Sequence, residues 1–224
     1  MSKPFASSAD LGEKRRTLEV LADGVYALTA EGDPNIGAIE GEDFLVCFEA
    51  LATPAAAQEW LAELREHTDK PVKYLILSHY HAVRVLGAAA YDAEIIVAHE
   101  NTKKLIDERG QEDWDSEYGR MPRLFKHPET IPGLTHPTEV FADEYRIDLG
   151  GDRGELVLSY CGRGHTAGDI VAWVEGPRSS SPATSSRPRP PSTPGTRSTA
   201  TGRARRSTPS RPSGPSSSSA VGAA

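Results

Sequence analysis

The chain has 224 residues, of which 25 are basic and 32 acidic, and its formal net charge is −7. Its last 48 residues, 177–224, hold eight arginines, nine of the 17 prolines and 14 serines but no acidic residue, so they carry +8 while residues 1–176 carry −15. A segment so poor in large apolar side chains does not offset the entropy of ordering it. The composition therefore excludes a globular C-terminal domain and predicts a disordered Arg/Pro/Ser-rich tail behind a core of one domain.

The acidity of the core argues against binding to nucleic acid or to an anionic membrane. No stretch approaches the roughly 20 apolar residues of a membrane span. Residues 1–17 have no apolar run behind their charges, so they predict a flexible N-terminus rather than a secretory signal. Cys47 and Cys161 lie far apart in apolar runs. We expect both cysteines to be buried free thiols and the protein to be cytoplasmic.

The first half of the core, from Leu18, predicts short strands separated by turn signals. Thr53 and Pro54 open a helix that runs to about His67, because threonine caps a helix well and proline suits its first turn. Val72–Leu77 is a continuous apolar run, which is typical of a strand covered on both faces.

The second half alternates helices and strands before it ends in strands alone. The patterns predict a short helix at 83–91, a buried strand at 94–98, a polar helix at 101–118, a proline-rich loop at 122–137, and strands at 138–141, 145–149, 155–160 and 170–174. Strands at both ends of the core, with β-α-β crossovers between them, predict an α/β (α+β) fold in which mixed sheets carry helices.

Two histidine-bearing turns each follow an apolar strand. His79 and His81 come directly after Val72–Leu77, and histidines at i and i+2 can converge on one point. His165 lies in a glycine-rich turn between the last two strands. Neutral imidazole is a good zinc ligand, and a catalytic zinc site needs three protein ligands and an open position. A lone HxH is more often a surface turn, but two such turns favour a metal site.

At these residues the chain resembles the metallo-β-lactamase-fold hydrolases. The resemblance covers residues 18–175 and rests on segments in matching order and spacing: LADGVYAL, LVCFEA, KYLILSHYHAVRVLG, IIVAHE and GRGHTAGDIVAWV. It implies a four-layer αββα sandwich with the metal site at one edge of two sheets. The family signature is HxHxDH, then a histidine in a GHT or GHS turn, then a bridging aspartate and a last histidine.

The resemblance assigns His79, His81 and His165 to the first metal, with one zinc ion per chain as the expectation. Val83 stands where the family has aspartate and Arg84 where it has histidine, so the second-metal ligands of the signature are absent. Valine cannot coordinate a metal, and arginine stays protonated.

Three neighbouring residues receive supporting roles. Arg84 is either the group that binds an anionic part of the substrate, in place of the second metal's charge, or an ordinary salt-bridged residue. Asp169 is expected to orient the GHT turn by hydrogen bonding. Glu49, at the end of its strand, is a candidate partner for a ligating histidine.

The tail begins where the resemblance implies a further strand followed by Gly-Asp. A single-base shift of suitable codons for Ser179–Ser186 yields Val-Leu-Phe-Ser-Gly-Asp-Leu-Val, which is a buried strand ending in the bridging aspartate. We infer a frameshift just after Arg178, so that the C-terminal half of the fold is incomplete. Such a loss leaves a sheet edge and an apolar face open. The alternative interpretation of the tail is an arginine-rich arm that binds RNA or DNA. The tail lacks lysines, aromatic residues and any repeat, which argues against this alternative.

Three functional readings follow. The first is a zinc-dependent hydrolase in which zinc-bound water attacks an ester-, thioester- or lactone-like bond of a small-molecule substrate. The second is a non-catalytic relative that binds a metal or ligand in the same pocket. The third is a truncated product whose function belongs to an intact parent. The sequence does not predict the oligomeric state.

Overall fold

The structure is a computed structural model, and it describes residues 12, 14–30 and 33–176. The predicted tail, the inferred frameshift and most of the predicted flexible N-terminus lie outside these residues. Within them, strands and helices occur in the order that the sequence predicts, with ends that differ by a few residues.

Seven strands form a large mixed sheet in which each strand pairs with the next along the chain. The first four are antiparallel, and the strands from the fourth to the seventh are parallel. The strands are β1 (Thr17–Ala22), β2 (Val25–Thr29), β3 (Ile36–Glu40), β4 (Leu45–Phe48), β5 (Val72–Leu77), β6 (Ile95–His99) and β7 (Glu139–Phe141).

A smaller antiparallel sheet contains the last three strands, with the middle one flanked by the other two. They are β8 (Glu144–Asp148), β9 (Glu155–Tyr160) and β10 (Ile170–Glu175). The connection from β9 to β10 carries the GHT turn, so the third histidine reaches the site from the second sheet.

Three α-helices lie between the strands: α1 (Pro54–Leu64), α2 (Ala82–Val85) and α3 (Glu100–Arg120). The first begins as predicted, because the Thr53 hydroxyl accepts a hydrogen bond from the Ala56 N–H and proline occupies the first turn. A 3-10 helix, Leu86–Ala90, continues α2. The proline-rich loop contains two 3-10 turns, Pro122–Leu124 and Pro128–Thr130.

The middle strands of the large sheet are buried on both faces, and the two faces belong to different hydrophobic cores. Leu75 and Leu77 of β5 pack with Trp60 of α1 in one core. Ile76 between them packs with Leu156 and other residues of the small sheet in the second core. The described residues therefore form three layers, namely helices, large sheet and small sheet, of the four-layer sandwich that the resemblance implies.

The last described strand exposes apolar side chains. Val171, Trp173 and Val174 of β10 are 49%, 41% and 43% exposed. Large apolar residues in the outer strand of a sheet are normally covered by another element. This exposure is the open apolar surface that the sequence analysis predicts for this end of the core.

One sequence expectation is wrong. Cys47 is buried in β4, but Cys161 is exposed in the turn that follows β9. The apolar run before Cys161 ends with the strand, so the cysteine falls on the loop and not in the core. No helix within the described ranges is both long and apolar enough to cross a membrane.

A partly buried ion pair in the β-rich part of the core makes stability pH-dependent. Lys70 Nζ donates to Glu40 Oε2 at 2.6 Å, and Tyr26 Oη donates to Glu40 Oε1 at 2.7 Å. Burial alone would raise the pKa of Glu40, but the hydrogen bonds from Lys70 and Tyr26 outweigh it and lower this pKa. A carboxylate with a lowered pKa stabilises the folded state above its unfolded-state pKa, and this contribution is lost as the pH falls.

We expect Lys70→Gln to reduce the free energy of unfolding by about 2 kcal/mol at neutral pH, since it removes a charged hydrogen-bond donor from a buried carboxylate. The difference from the unsubstituted protein should shrink as the pH falls below the ordinary carboxyl pKa. Urea unfolding at neutral and acidic pH measures both effects. Lys104→Gln, at an exposed pair with Glu108, is the matched control and should change little. If Lys70→Gln lowered the free energy of unfolding equally at neutral and acidic pH, the loss would not come from its pairing with ionised Glu40.

Candidate metal centre

His79 and His81 are placed by the short loop between β5 and α2. Leu77, the last residue of β5, is fully buried, and Tyr80 is 8% exposed, so the loop is anchored at both points. Because successive side chains of an extended backbone alternate, burial of Tyr80 turns the residues on either side of it together. His81 has extended backbone angles and is the N-cap of α2.

His165 lies in a turn whose conformation is fixed by hydrogen bonds from the side chains of that turn. The Asp169 carboxylate accepts hydrogen bonds from the Thr166 N–H at 3.0 Å and from the Thr166 hydroxyl. The Thr166 hydroxyl accepts one from the Gly168 N–H at 3.2 Å. The Gly168 carbonyl accepts one from the Thr102 hydroxyl of α3 at 2.9 Å. Asp169 thus shapes the turn rather than facing the histidines as a ligand.

The three histidine rings converge. One ring nitrogen from each of His79, His81 and His165 lies within 4.8 Å of the others. His165 Nε2 is 3.3 Å from His81 Nδ1. The ring planes stand at 74° to 88° to one another, with centroids 4.7 to 5.3 Å apart. Three rings that approach one point from different directions present three lone pairs, as a tetrahedral site with one open position requires.

The electrostatics of the site favour neutral rings. Burial, reinforced by the nearby His81, lowers the pKa of His79 to about 3. Burial also lowers the pKa of His81, against the opposing effect of Asp113. Neutral imidazole is the form that binds metal. At neutral pH both rings therefore have a lone pair available for a cation.

Glu49 supports the first histidine through Ser78. The Ser78 hydroxyl lies 2.7 Å from His79 Nδ1, which leaves Nε2 of that ring for the site. Glu49 Oε1 accepts a hydrogen bond from the Ser78 N–H at 2.8 Å. Burial raises the pKa of Glu49 to about 7, although Arg84 and Ser78 act in the opposite direction. Glu49 therefore contacts the loop backbone and an arginine rather than a histidine ring.

Val83 and Arg84 do not provide metal ligands. Val83 is 6% exposed and belongs to the core between helices and large sheet. Arg84 Nη1 lies 3.5 Å from Glu49 Oε2 and donates to the Asn35 carbonyl at 3.2 Å. The positive charge of Arg84 is close enough to His79 to help lower its pKa. Arg84 thus lies beside the centre, in an ion pair with a buried carboxylate.

Helix α3 adds two acidic residues that the sequence analysis missed. One ligand atom from each of His81, Asp113 and Glu117 lies within 4.8 Å of the others. Glu117 is 3% exposed and pairs with Arg120. Burial raises the pKa of Glu117 against the effect of Arg120. The only signal in the sequence is the i, i+4 spacing of the two acids on a helix with many other charges.

His99 has structural partners on both sides of its ring. Its Nε2 lies 2.7 Å from the Ala142 carbonyl, and its Nδ1 accepts a hydrogen bond from the Asn101 N–H. The ring stacks on Tyr160 at 3.9 Å between centroids. Both ring nitrogens are therefore occupied by the fold, and His99 caps α3 instead of serving the centre.

The donor set of His79, His81 and His165 fits a divalent transition metal. Imidazole nitrogen suits zinc, copper, iron and nickel, and the neutral state of the two less exposed rings supplies free lone pairs. His165 is exposed, so solvent reaches the centre. The three residues that the resemblance assigns to the first metal are thus brought together, in a position that a small molecule can reach.

Comparison with known proteins agrees with this geometry. The sequence profile described as the metallo-beta-lactamase superfamily matches residues 29–178, about two thirds of the chain. No curated protein sequence matches significantly. Among solved structures, a metallo-β-lactamase from Hirschia baltica is 22% identical with a TM-score of 0.50, over 70% of this chain and 65% of that one.

A stereoselective inverting sec-alkylsulfatase, Pisa1 from Pseudomonas sp., is 17% identical with a TM-score of 0.53. The match covers 71% of this chain and 29% of that one. The chain therefore spans less than two thirds of the length of either structure. At this level of identity the two structures support the fold alone. The profile match, over more than half of the residues, shows that the chain belongs to the metallo-β-lactamase superfamily.

Proposed function

We propose that the protein is a metal-dependent hydrolase that holds one zinc ion per chain through His79, His81 and His165. Its substrate is a small molecule with an ester-, thioester- or lactone-like bond. The observation that carries the proposal is the convergence of three imidazoles within 4.8 Å, in a chain of this superfamily. A catalytic zinc site has three protein ligands and an open fourth position, and three histidines are one of its known ligand sets.

The chain's own residues divide the work of the site. The three rings hold the ion, and Ser78 and the β9–β10 turn fix the directions of two of them. When bound, zinc would supply Lewis-acid activation of water and of a carbonyl oxygen. The exposed side of His165 leaves an approach for the substrate.

Arg84 is the proposed contact for an anionic group of the substrate. Nη1 ties Arg84 to the fold, where it contacts Glu49 and donates to the Asn35 carbonyl. Its side chain is 29% exposed, and a guanidinium offers further N–H donors in a planar fork that suits carboxylates and phosphates. A substrate carboxylate that reached this face would find a cation already oriented by Glu49.

A second candidate is a non-catalytic member that binds a metal or ligand without hydrolysis. The observation that favours it is the environment of Val83 and Arg84, since the first is packed in the core and the second is ion-paired. Neither position can hold the second metal of the family signature. The third reading, a frameshifted product, is tested directly by the nucleotide sequence around the codon for Arg178.

Hydrolysis assays on the full-length chain separate these candidates. Zinc-loaded protein and its His79→Ala variant are compared on an activated ester, a thioester and a lactone, with a secondary alkyl sulfate added because of the sulfatase neighbour. We expect zinc-dependent turnover that His79→Ala abolishes. The control is His136→Ala, because His136 is half-exposed and pairs with Asp107 on the surface. Zinc bound through the triad without turnover of any of the four compounds would instead favour the non-catalytic candidate.

A further inference from the structure

The two ring nitrogens of His81 face different neighbours. Nδ1 faces the triad, 3.3 Å from His165 Nε2. Nε2 lies 3.8 Å from Asp113 Oδ1. A neutral imidazole carries its proton on one nitrogen and its lone pair on the other. For His81 to serve the triad through Nδ1, the proton must therefore be on Nε2, which is the nitrogen beside Asp113.

We propose that Asp113 of α3 is a positioning residue that fixes His81 in the Nε2–H tautomer and thereby aims Nδ1 at the metal. The proposal rests on the proposed function, since it assumes that the triad holds the ion. A metal-ligating histidine commonly donates its second N–H to a carboxylate, which sets the ring orientation and raises the basicity of the ligand nitrogen.

The fold holds the Asp113 carboxylate in place for this role. Its Oδ2 accepts a hydrogen bond of 2.7 Å from the Ala82 N–H, the first residue of α2. Its side chain is 10% exposed, so water competes little for Oδ1. Asp113 Oδ2 thus binds the backbone N–H of the residue after His81, and Asp113 Oδ1 lies beside the His81 ring.

Helix α3 also holds the turn that carries His165. Thr102 donates to the Gly168 carbonyl, and Asn101 Nδ2 donates to the Ala167 carbonyl at 3.0 Å. A Cβ added to Gly168 would lie 2.4 Å from Thr102 Oγ1, so the turn and the helix are in close contact. Helix α3 therefore acts on two of the three histidines. Asn101 and Thr102, near its start, hold the turn that carries His165, and Asp113, past its middle, lies beside His81.

A competing reading makes His81, Asp113 and Glu117 a cation site of their own. Glu117 Oε2 is buried without a hydrogen-bond partner among the described residues, which a cation would explain. The Arg120 guanidinium, however, binds the other oxygen of Glu117 and already supplies positive charge there. Asp113 Oδ2 and His81 Nδ1 are also engaged elsewhere. The geometry therefore favours the positioning role, and the cation site becomes an outcome of the test.

Asp113→Asn separates positioning from structure. The amide oxygen can still accept from the Ala82 N–H, while the NH₂ group then faces His81 Nε2 as a donor. Because Nε2 must then accept, the proton moves to Nδ1 and blocks the metal-binding nitrogen. We expect zinc affinity to fall about 10- to 100-fold, with the melting temperature of the metal-free protein nearly unchanged. Asp115→Asn is the matched control, since Asp115 is exposed on the same helix and pairs with Gln111.

The readouts are zinc titration and ¹⁵N NMR of the His81 ring in the metal-free full-length protein. The expected spectra show the Nε2–H tautomer in the unsubstituted protein and Nδ1–H in Asp113→Asn. Unchanged zinc affinity and tautomer would overturn the proposal. Two zinc ions in the unsubstituted protein and one in both Asp113→Asn and Glu117→Gln would replace it with the cation site. If the unsubstituted protein binds no zinc, the proposed function fails, and the tautomer alone still decides the role of Asp113.

Discussion

His79→Ala is expected to weaken zinc binding by at least about 100-fold, more than the loss of a residue that only supports a ligand. His79 is one of three rings that together leave one open position, and two imidazoles hold a divalent ion far less tightly. Its low pKa also means that it contributes a lone pair across the whole neutral range. Zinc content after exhaustive dialysis and competition titration with a chelator measure the effect.

His136→Ala serves as the control here too, because it removes an exposed histidine and leaves the triad intact. Far-UV circular dichroism should show the same secondary structure in all three proteins, since His79 lies in a loop. Equal zinc content in His79→Ala and the unsubstituted protein would show that the ion binds elsewhere, and the one-zinc centre would then be abandoned.

The convergence of the three histidines could be predicted because each of them follows the end of a strand. A continuous apolar run identifies β5, and a strand buried on both faces fixes where its carboxyl end lies. His79 and His81 come within four residues of the end of β5, so the strand largely fixes where they lie. His165 was identified in the same way, from a glycine-rich turn between two strands.

The contacts of Glu49 could not be predicted from the sequence. Glu49 and Leu51 have φ values of 69° and 64°, in the left-handed region that residues with a Cβ seldom adopt. This backbone path directs the Glu49 carboxylate to the Ser78 N–H and Arg84. A sequence shows that an acidic residue ends a strand, but it does not show an unusual turn at a residue other than glycine. Strained backbone of this kind is often found beside functional sites.

Asp113 and Glu117 escaped prediction for a different reason. Four residues of α3, namely Thr102, Ile106, Gly110 and Glu117, are buried, and only one of them is a large apolar residue. A helix without an apolar stripe gives no indication of which face it turns inward. The acids beside His81 therefore look the same in the sequence as the solvated acids on the other faces.

The core between the helices and the large sheet depends on Trp60, which is fully buried on α1. Trp60→Ala is expected to lower the free energy of unfolding by about 3–5 kcal/mol, as for other large-to-small changes at buried aromatic positions. This is a large share of the stability of a domain of this size, which is about 5–15 kcal/mol. Urea unfolding followed by circular dichroism measures the loss.

Trp60→Phe tests whether the effect comes from the cavity. Trp60 Nε1 is buried without a hydrogen-bond partner among the described residues, so phenylalanine removes an unsatisfied donor while it keeps most of the ring volume. The cost of the smaller cavity is thus offset because the buried, unpaired N–H is removed. Trp60→Phe should therefore lose far less stability than Trp60→Ala. Zinc affinity should change little in either variant that stays folded, because the three histidines lie in the loop after β5 and in the β9–β10 turn. Equal losses in the two variants would mean that a feature specific to the indole, and not the volume it fills, holds α1 against the sheet.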